Sequence, residues 1–327
     1  MIAIENKSVA VKKSSNPPEM GISYKGAYTA RQLYNMKIQE VPFLLEGLIP
    51  TTGLTCLTGA SDCNKSTLLR QLAIDIASRK ESFLGFKLTS IYGKCIYIST
   101  EDDYQAISAL LNKQYPSTAP DEVLDNIYFI FKTDGHLKEL DKVLTKTKTD
   151  LVILDNWADV FGGDINQTNK VRANFEQYSW LSQKHNCAFM FVHHQGKRSE
   201  EKNPSKNNLL GSQGIEAKMR TVIELRREAG NKRLMTITKG NYTKDSMKAK
   251  SFRLELNENN MLFTLSTDAV LATSLGFDNI KTGKEDIMKV ASKLRKEGVS
   301  YEKVHGKLKE QFGEVIPGLT TLKNWLK

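Results

Sequence analysis

Residues 59–67 read GASDCNKST, one substitution away from the pattern G-x-x-x-x-G-K-[ST], whose backbone N–H groups wrap a phosphate chain. In that pattern the loop runs from Gly59 through Ala60, Ser61, Asp62 and Cys63. Lys65 reaches the phosphates, Ser66 ligates a Mg2+ ion, and Thr67 lies beside it in the first helical turn. Asn64 stands where glycine is usual. Glycine serves there because the backbone approaches phosphate closely, in a conformation that a Cβ disfavours. Asparagine tolerates positive φ better than most residues, so the loop can keep its shape at a strain of about 1 kcal/mol. Two carboxylates extend the chemistry. DLVILDNW ends an apolar run in Asp155, placed to hold Mg2+ through water; the alternative is a turn or helix-cap residue. CIYISTEDD ends another in Glu101, a candidate to orient or deprotonate an attacking water, with Asp102 and Asp103 as first-turn acids of a following helix.

These residues need strands that end together and a helix that starts at the loop. Short apolar runs do alternate with amphipathic segments: LTCLTG then STLLRQLAIDIASR, KCIYIST then DDYQAISALLNKQY, NIYFIF then HLKELDKVLTKT, DLVILD then NKVRANFEQYSWLSQKH, and CAFMFVHH. That alternation predicts an α/β core with a mostly parallel sheet flanked by helices. TVIELRRE, RLMTITKGN, KSFRLELNE and MLFTLST alternate in polarity and predict an antiparallel extension at the sheet edge. The spacing of Ile287, Val290, Ala291 and Leu294, then of Val304, Leu308 and Phe312 behind Ser300, predicts two helices, and LTTLKNWLK a third after Pro317-Gly318. The expected organisation is a flexible arm over 1–20, the α/β core over 21–267, a linker over 268–283, and a small all-α, helix-turn-helix-like domain over 284–327. YTARQLYNMKIQ reads as a short helix near the start of the core.

Composition narrows the class. No apolar run approaches the roughly 18 residues of a membrane span, so no membrane role is expected. Cys56, Cys63, Cys95 and Cys187 form no C-x-x-C pair, and three sit in apolar runs. They read as buried reduced thiols in a cytoplasmic protein. The formal charge of +10 suggests an anionic partner. Residues 281–327 carry 11 Lys+Arg against 6 Asp+Glu, a net +5, half of the excess. His193 and His194 are strand neighbours whose side chains face opposite ways, a poor arrangement for chelating one metal ion.

The order GLIPTTGLTCLTGASDCNKST, YISTEDD, LVILDNW, FVHHQGK, NNLLGSQGIEAKMRTVIELRRE and ITKGNY resembles the RecA-like P-loop ATPases, in particular the branch of plasmid RepA-type hexameric replicative helicases. The resemblance spans roughly residues 40 to 265. It implies ATP and Mg2+ as cofactors, Lys65 and Ser66 on phosphate and metal, Glu101 as the catalytic carboxylate and Asp155 as the Walker B aspartate. It implies that His194 or Gln195 senses the γ-phosphate. Lys239 matches the lysine that reaches a neighbour's γ-phosphate, but Asn241 replaces the usual arginine two places on. Arg220, Arg226 and Arg227 are substitutes for that finger. The polar segment 196–214 corresponds to a channel loop around single-stranded DNA, with Lys197, Arg198, Lys202 and Lys206 as phosphate contacts. Thr320, Thr321, Lys323 and Asn324 of the last helix are candidates for contacts to duplex DNA.

The functional expectation is an ATP-dependent DNA motor or switch, assembled as a homo-oligomeric ring or filament, in replication or mobilisation of a plasmid or other mobile element. Two alternatives stand beside it: a DNA-binding regulator whose degenerate loop binds nucleotide with little or no turnover, and a recombination or repair accessory ATPase.

Overall fold

The computed structural model describes residues 27–131, 136–196, 204–205, 209, 211, 213–266, 270–271, 281–312 and 317–326. The expected arm, the loop cations Lys197, Arg198, Lys202 and Lys206, and most of the expected linker lie outside the described residues. The chain divides into two compact units, Met1–Lys37 and Ile38–Lys327. In the first, α1 (Ala30–Asn35) starts at a capping box: Thr29 accepts from the Gln32 amide and Gln32 accepts from the Thr29 amide.

The second unit is built on one large sheet. Its strands are β1 (Gly53–Gly59), β2 (Cys95–Ser99), β3 (Ile127–Ile130), β4 (Leu151–Asp155), β5 (Ala188–His194), β6 (Thr221–Arg227), β7 (Lys232–Gly240), β8 (Lys250–Asn257), β9 (Leu262–Leu265) and β10 (Val270–Leu271). Their spatial order is β9-β8-β7-β6-β1-β5-β4-β2-β3, with β10 on β8. From β6 to β3 every pairing is parallel, and from β6 through β7 and β8 to β9 every pairing is antiparallel. The sheet is therefore mostly parallel with an antiparallel extension, as the polarity patterns predict. One assignment changes. TVIELRRE, grouped by its charges with the extension, is the last parallel strand: five consecutive residues from Thr221 are buried, because β1 and β7 flank it and only Arg226 and Arg227 run past the packed region.

Helices cover both faces. The alternation of β1 sends Leu57 to one side with Leu68, Leu69 and Leu72 of α2 (Lys65–Ala77), and sends Leu54 and Cys56 to the other. The second face is aromatic: Trp157 of α5 (Trp157–Phe161) stacks on Phe175 of α6 (Thr168–His185), which meets Phe191 edge-on. Among the described residues, α3 (Tyr104–Gln114), α4 (His136–Lys146), α7 (Gln213–Lys218) and α8 (Asp245–Lys248) are the other α-helices before the C-terminal segment, with a 3-10 turn at Asp121–Asn126. Residues 43–50 and 82–87 form two small hairpins that the apolar pattern gave no sign of. The four cysteines are free and buried.

The C-terminal residues form α9 (Lys281–Lys296), α10 (Tyr301–Phe312) and α11 (Leu319–Trp325). Ile287, Ala291, Val304, Leu308 and Leu322 share one buried cluster. The Ser300 carbonyl and hydroxyl accept from the amides of Val304 and Lys303, as expected of a helix cap. Among the described residues no helix is long and apolar enough to cross a membrane.

Candidate nucleotide site

Four of the expected residues converge because parallel strands end together. Gly59 pairs with His194 at the ends of β1 and β5, and Ser99 pairs with Asp155 at the ends of β2 and β4. The loop, the Glu101 segment, Asp155 and His194 thus occupy one edge of the sheet, where open α/β sheets bind ligands.

The loop is tightly constrained. A Cβ on Gly59 would collide with the Leu225 carbonyl of β6 and lie 2.7 Å from Cys63 Sγ, so glycine is required for β1 to run beside β6. Asp62 and Asn64 both take positive φ, 62° and 68°, and Asn64 is the left-handed residue that turns the chain into α2. Its side chain caps nothing. Its Oδ1 accepts at 2.6 Å from Arg233 Nη2, whose Nε donates to the Cys63 carbonyl at 3.3 Å.

Lys65 is buried, and its ammonium donates to the carbonyls of Gly59 at 3.1 Å and Ala60 at 2.7 Å. Among the described residues no carboxylate lies in ion-pair range of it. The ammonium also lies 3.7 Å from Cys63 Sγ. A buried ammonium held by neutral loop groups, beside helix amides with no side-chain cap, fits an anionic phosphate. Burial pushes the Cys63 thiol up, against the pull of Lys65.

Asp155 sits beneath the loop. It is buried and accepts from Tyr97 Oη at 2.5 Å, with the Ser66 hydroxyl close enough to favour its charged form. Burial raises its carboxyl above the usual range, the two hydroxyls pull it down, and the charge of Glu101 raises it again. A hydroxyl and a carboxylate are hard oxygen donors of the kind Mg2+ takes. Thr100 joins this group to Glu101: its amide donates to the Asp155 carbonyl at 2.8 Å, and its hydroxyl donates to Asp159 at 2.8 Å and accepts from the Asn156 amide at 2.8 Å. Glu101 is half-exposed and accepts from Asn156 Nδ2 at 3.2 Å, with His194 Nε2 3.3 Å away. Asp103 caps α3 by accepting from Gln105 and Ala106, whereas Asp102 faces Arg70 of α2 at 3.6 Å.

The remaining predicted residues divide by position. Ser61 and Asp62 are exposed on the loop and Thr67 is buried at its base. His193 turns from His194 to meet the Trp157 ring edge-on. Gln195 is buried and bridges to Leu209. Lys239 pairs with Val222 and Arg220 precedes β6, so both lie at the sheet edge opposite the loop. Lys239 donates to the Glu216 carbonyl at 2.6 Å and pairs with its carboxylate at 3.1 Å, while Arg220 is exposed with its guanidinium 6.0 Å from the Tyr242 ring. Arg226 and Arg227 lie at the loop edge, Arg226 on the buried Glu224 and Arg227 exposed. Thr320, Thr321 and Asn324 are exposed on α11, and Lys323 pairs with Glu302.

Tyr97, Thr100, Asn156 and Arg233 were not among the predicted residues. The first three follow from the strand ends already identified; the last had no signal, since Arg233 lies 169 residues from Asn64.

Residues 27–200 match the AAA domain family, more than half of the chain. The chain belongs to that family. It is also similar to the DNA repair and recombination protein RadA of Aeropyrum pernix, 26% identical over 149 residues, 42% of this chain and 44% of the relative. The chain therefore aligns with less than half of that relative's length. Fold, strand-end geometry and this likeness agree on a RecA-like P-loop core.

Proposed function

We propose that this AAA-family protein binds Mg2+-ATP at the 59–67 loop and hydrolyses it, and that the cycle drives work on DNA. The observation that carries the reading is the convergence of Lys65, Ser66, Asp155 and Glu101 on one sheet edge around a buried, carboxylate-free ammonium. Lys65 and the first-turn amides of α2 hold the phosphates. Ser66, with Asp155, holds the metal, whose chemistry is to neutralise phosphate charge. Glu101 orients the attacking water, and the hydrogen bonds from Asn156 and His194 keep its carboxylate at the strand tips. The name of the RadA relative and the net +5 of the last 47 residues support DNA as partner. Contacts from the 196–214 loop to single-stranded DNA and from α11 to duplex DNA belong to this proposal.

Assembly belongs to it as well. Arg220 and Lys239 lie across the sheet from their own loop, so a nucleotide they touch belongs to another copy, in a ring or a filament. Glu216 already engages Lys239, which makes Arg220 the better trans-acting cation. A replicative helicase of the RepA type, serving a plasmid or mobile element, is the specific role that the motif order favours. The second reading, a DNA-binding regulator that retains nucleotide without turnover, is favoured by Asn64 in place of glycine.

ATP turnover measured with and without single-stranded DNA separates these. DNA-stimulated turnover that Glu101→Gln abolishes supports the motor or switch. Turnover equal to that of Lys65→Ala, with nucleotide still retained, supports the regulator. A strand-displacement assay then tells motor from switch.

A further inference from the structure

An asparagine that starts a helix from extended backbone turns its side-chain oxygen onto the amides of the second or third helical residue. Asn64 takes left-handed backbone instead and its side chain caps nothing, so its amide group stands beside the amides a phosphate needs and must be held clear of them. The structure shows the oxygen held elsewhere. Arg233, buried on β7, donates Nη2 to Asn64 Oδ1 at 2.6 Å, Nε to the Cys63 carbonyl at 3.3 Å and Nη1 to the Lys232 carbonyl at 2.8 Å. Three donors of one planar fork are used, two of them on consecutive loop residues. A lysine cannot reproduce this, because its ammonium has no fixed fork. The strand register places Arg233 opposite Arg227, at the loop end of β6, so the clamp is anchored in the sheet and not in the loop it controls.

We propose that Arg233 is a positioning residue that holds the Asn64 side chain off the α2 N-terminus, keeping the loop amides available to phosphate and making asparagine workable where glycine is usual. The pair is one device. With Arg233 gone, the Asn64 amide is free to turn into the space a phosphate would take, competing with the ligand; with Asn64 replaced by glycine, nothing remains to be held. The proposal rests on the nucleotide reading above.

The test is a double-mutant cycle read by calorimetric titration of the full chain with Mg2+-ATP and, separately, with inorganic pyrophosphate. Arg233→Met should weaken both ligands about tenfold, the worth of one hydrogen bond. Asn64→Gly should bind at least as well as the native chain. The double variant should fall within about twofold of Asn64→Gly, since the two sites are coupled and not additive. Should Arg233→Met fail to fold, Arg233→Lys is put through the same cycle, and Asn64→Gly should restore its affinity too. Equal losses in both backgrounds, or no loss in the native background, overturn the clamp while leaving nucleotide binding intact. Absence of binding in the native chain and all variants overturns both the clamp and the nucleotide reading.

Discussion

At the residue scale, the substitution that makes the loop irregular is accommodated by the backbone and by a partner far away in sequence. Asn64 takes the positive φ that its residue type tolerates, and its polar end is satisfied by Arg233. Tyr97 has a comparable role under Asp155: a phenol whose hydroxyl burial and the neighbouring carboxylate push well above the ordinary tyrosine range, so it stays protonated and donates. Tyr97→Phe should cost about 1.5–3 kcal/mol of stability, the worth of a hydrogen bond to a charged group, read by urea unfolding, and a loss near zero would show that Asp155 does not depend on it. The thiols offer a second check. Burial pushes Cys56 up to about 12 and raises Cys63, Cys95 and Cys187 as well. All four should therefore resist a thiol-specific reagent at pH 8 in the folded protein and react only on unfolding; fast labelling of native Cys63 would place the loop in a more open state.

At the scale of elements, the site exists because β1, β2, β4 and β5 stop at one edge and α2 begins there. Gly59→Ala should break this junction, because the added Cβ collides with the Leu225 carbonyl. The expected result is loss of nucleotide binding with lowered stability, seen in a melt with and without ligand, and an unchanged melt would mean that β1 and β6 have room to separate. On the other face Trp157 is fully buried against Phe175 and His193, with its indole N–H donating to Asn174. Trp157→Ala should cost about 3–5 kcal/mol. Much of this layout was legible, since apolar runs separated by helix-length amphipathic segments leave few alternatives to a parallel sheet, and motifs at strand ends then share an edge. Polarity alone misplaced β6, whose terminal arginines extend beyond a buried strand. The small hairpins escaped because strands of two or three residues carry no period. Arg233 escaped because charge in an alternating strand looks solvated until the register shows what it faces.

At the scale of the whole molecule, the proposed phosphate site at one sheet edge, exposed Arg220 at the other, and a basic three-helix segment at the C-terminal end suit the proposed cycle, which passes between copies and acts on an anionic polymer. Membership of the AAA domain family and the likeness to RadA accord with that design. All of it depends on the loop working with Asn64 in place. The most direct measurement is a titration of the native chain and Lys65→Ala with Mg2+-ATP under identical conditions. The account predicts saturable binding to the native chain and a loss of roughly 100-fold or more in the variant, since one removed charge-assisted contact to phosphate is worth several kcal/mol in a buried site. Equal affinities, or no binding to either chain, would contradict it.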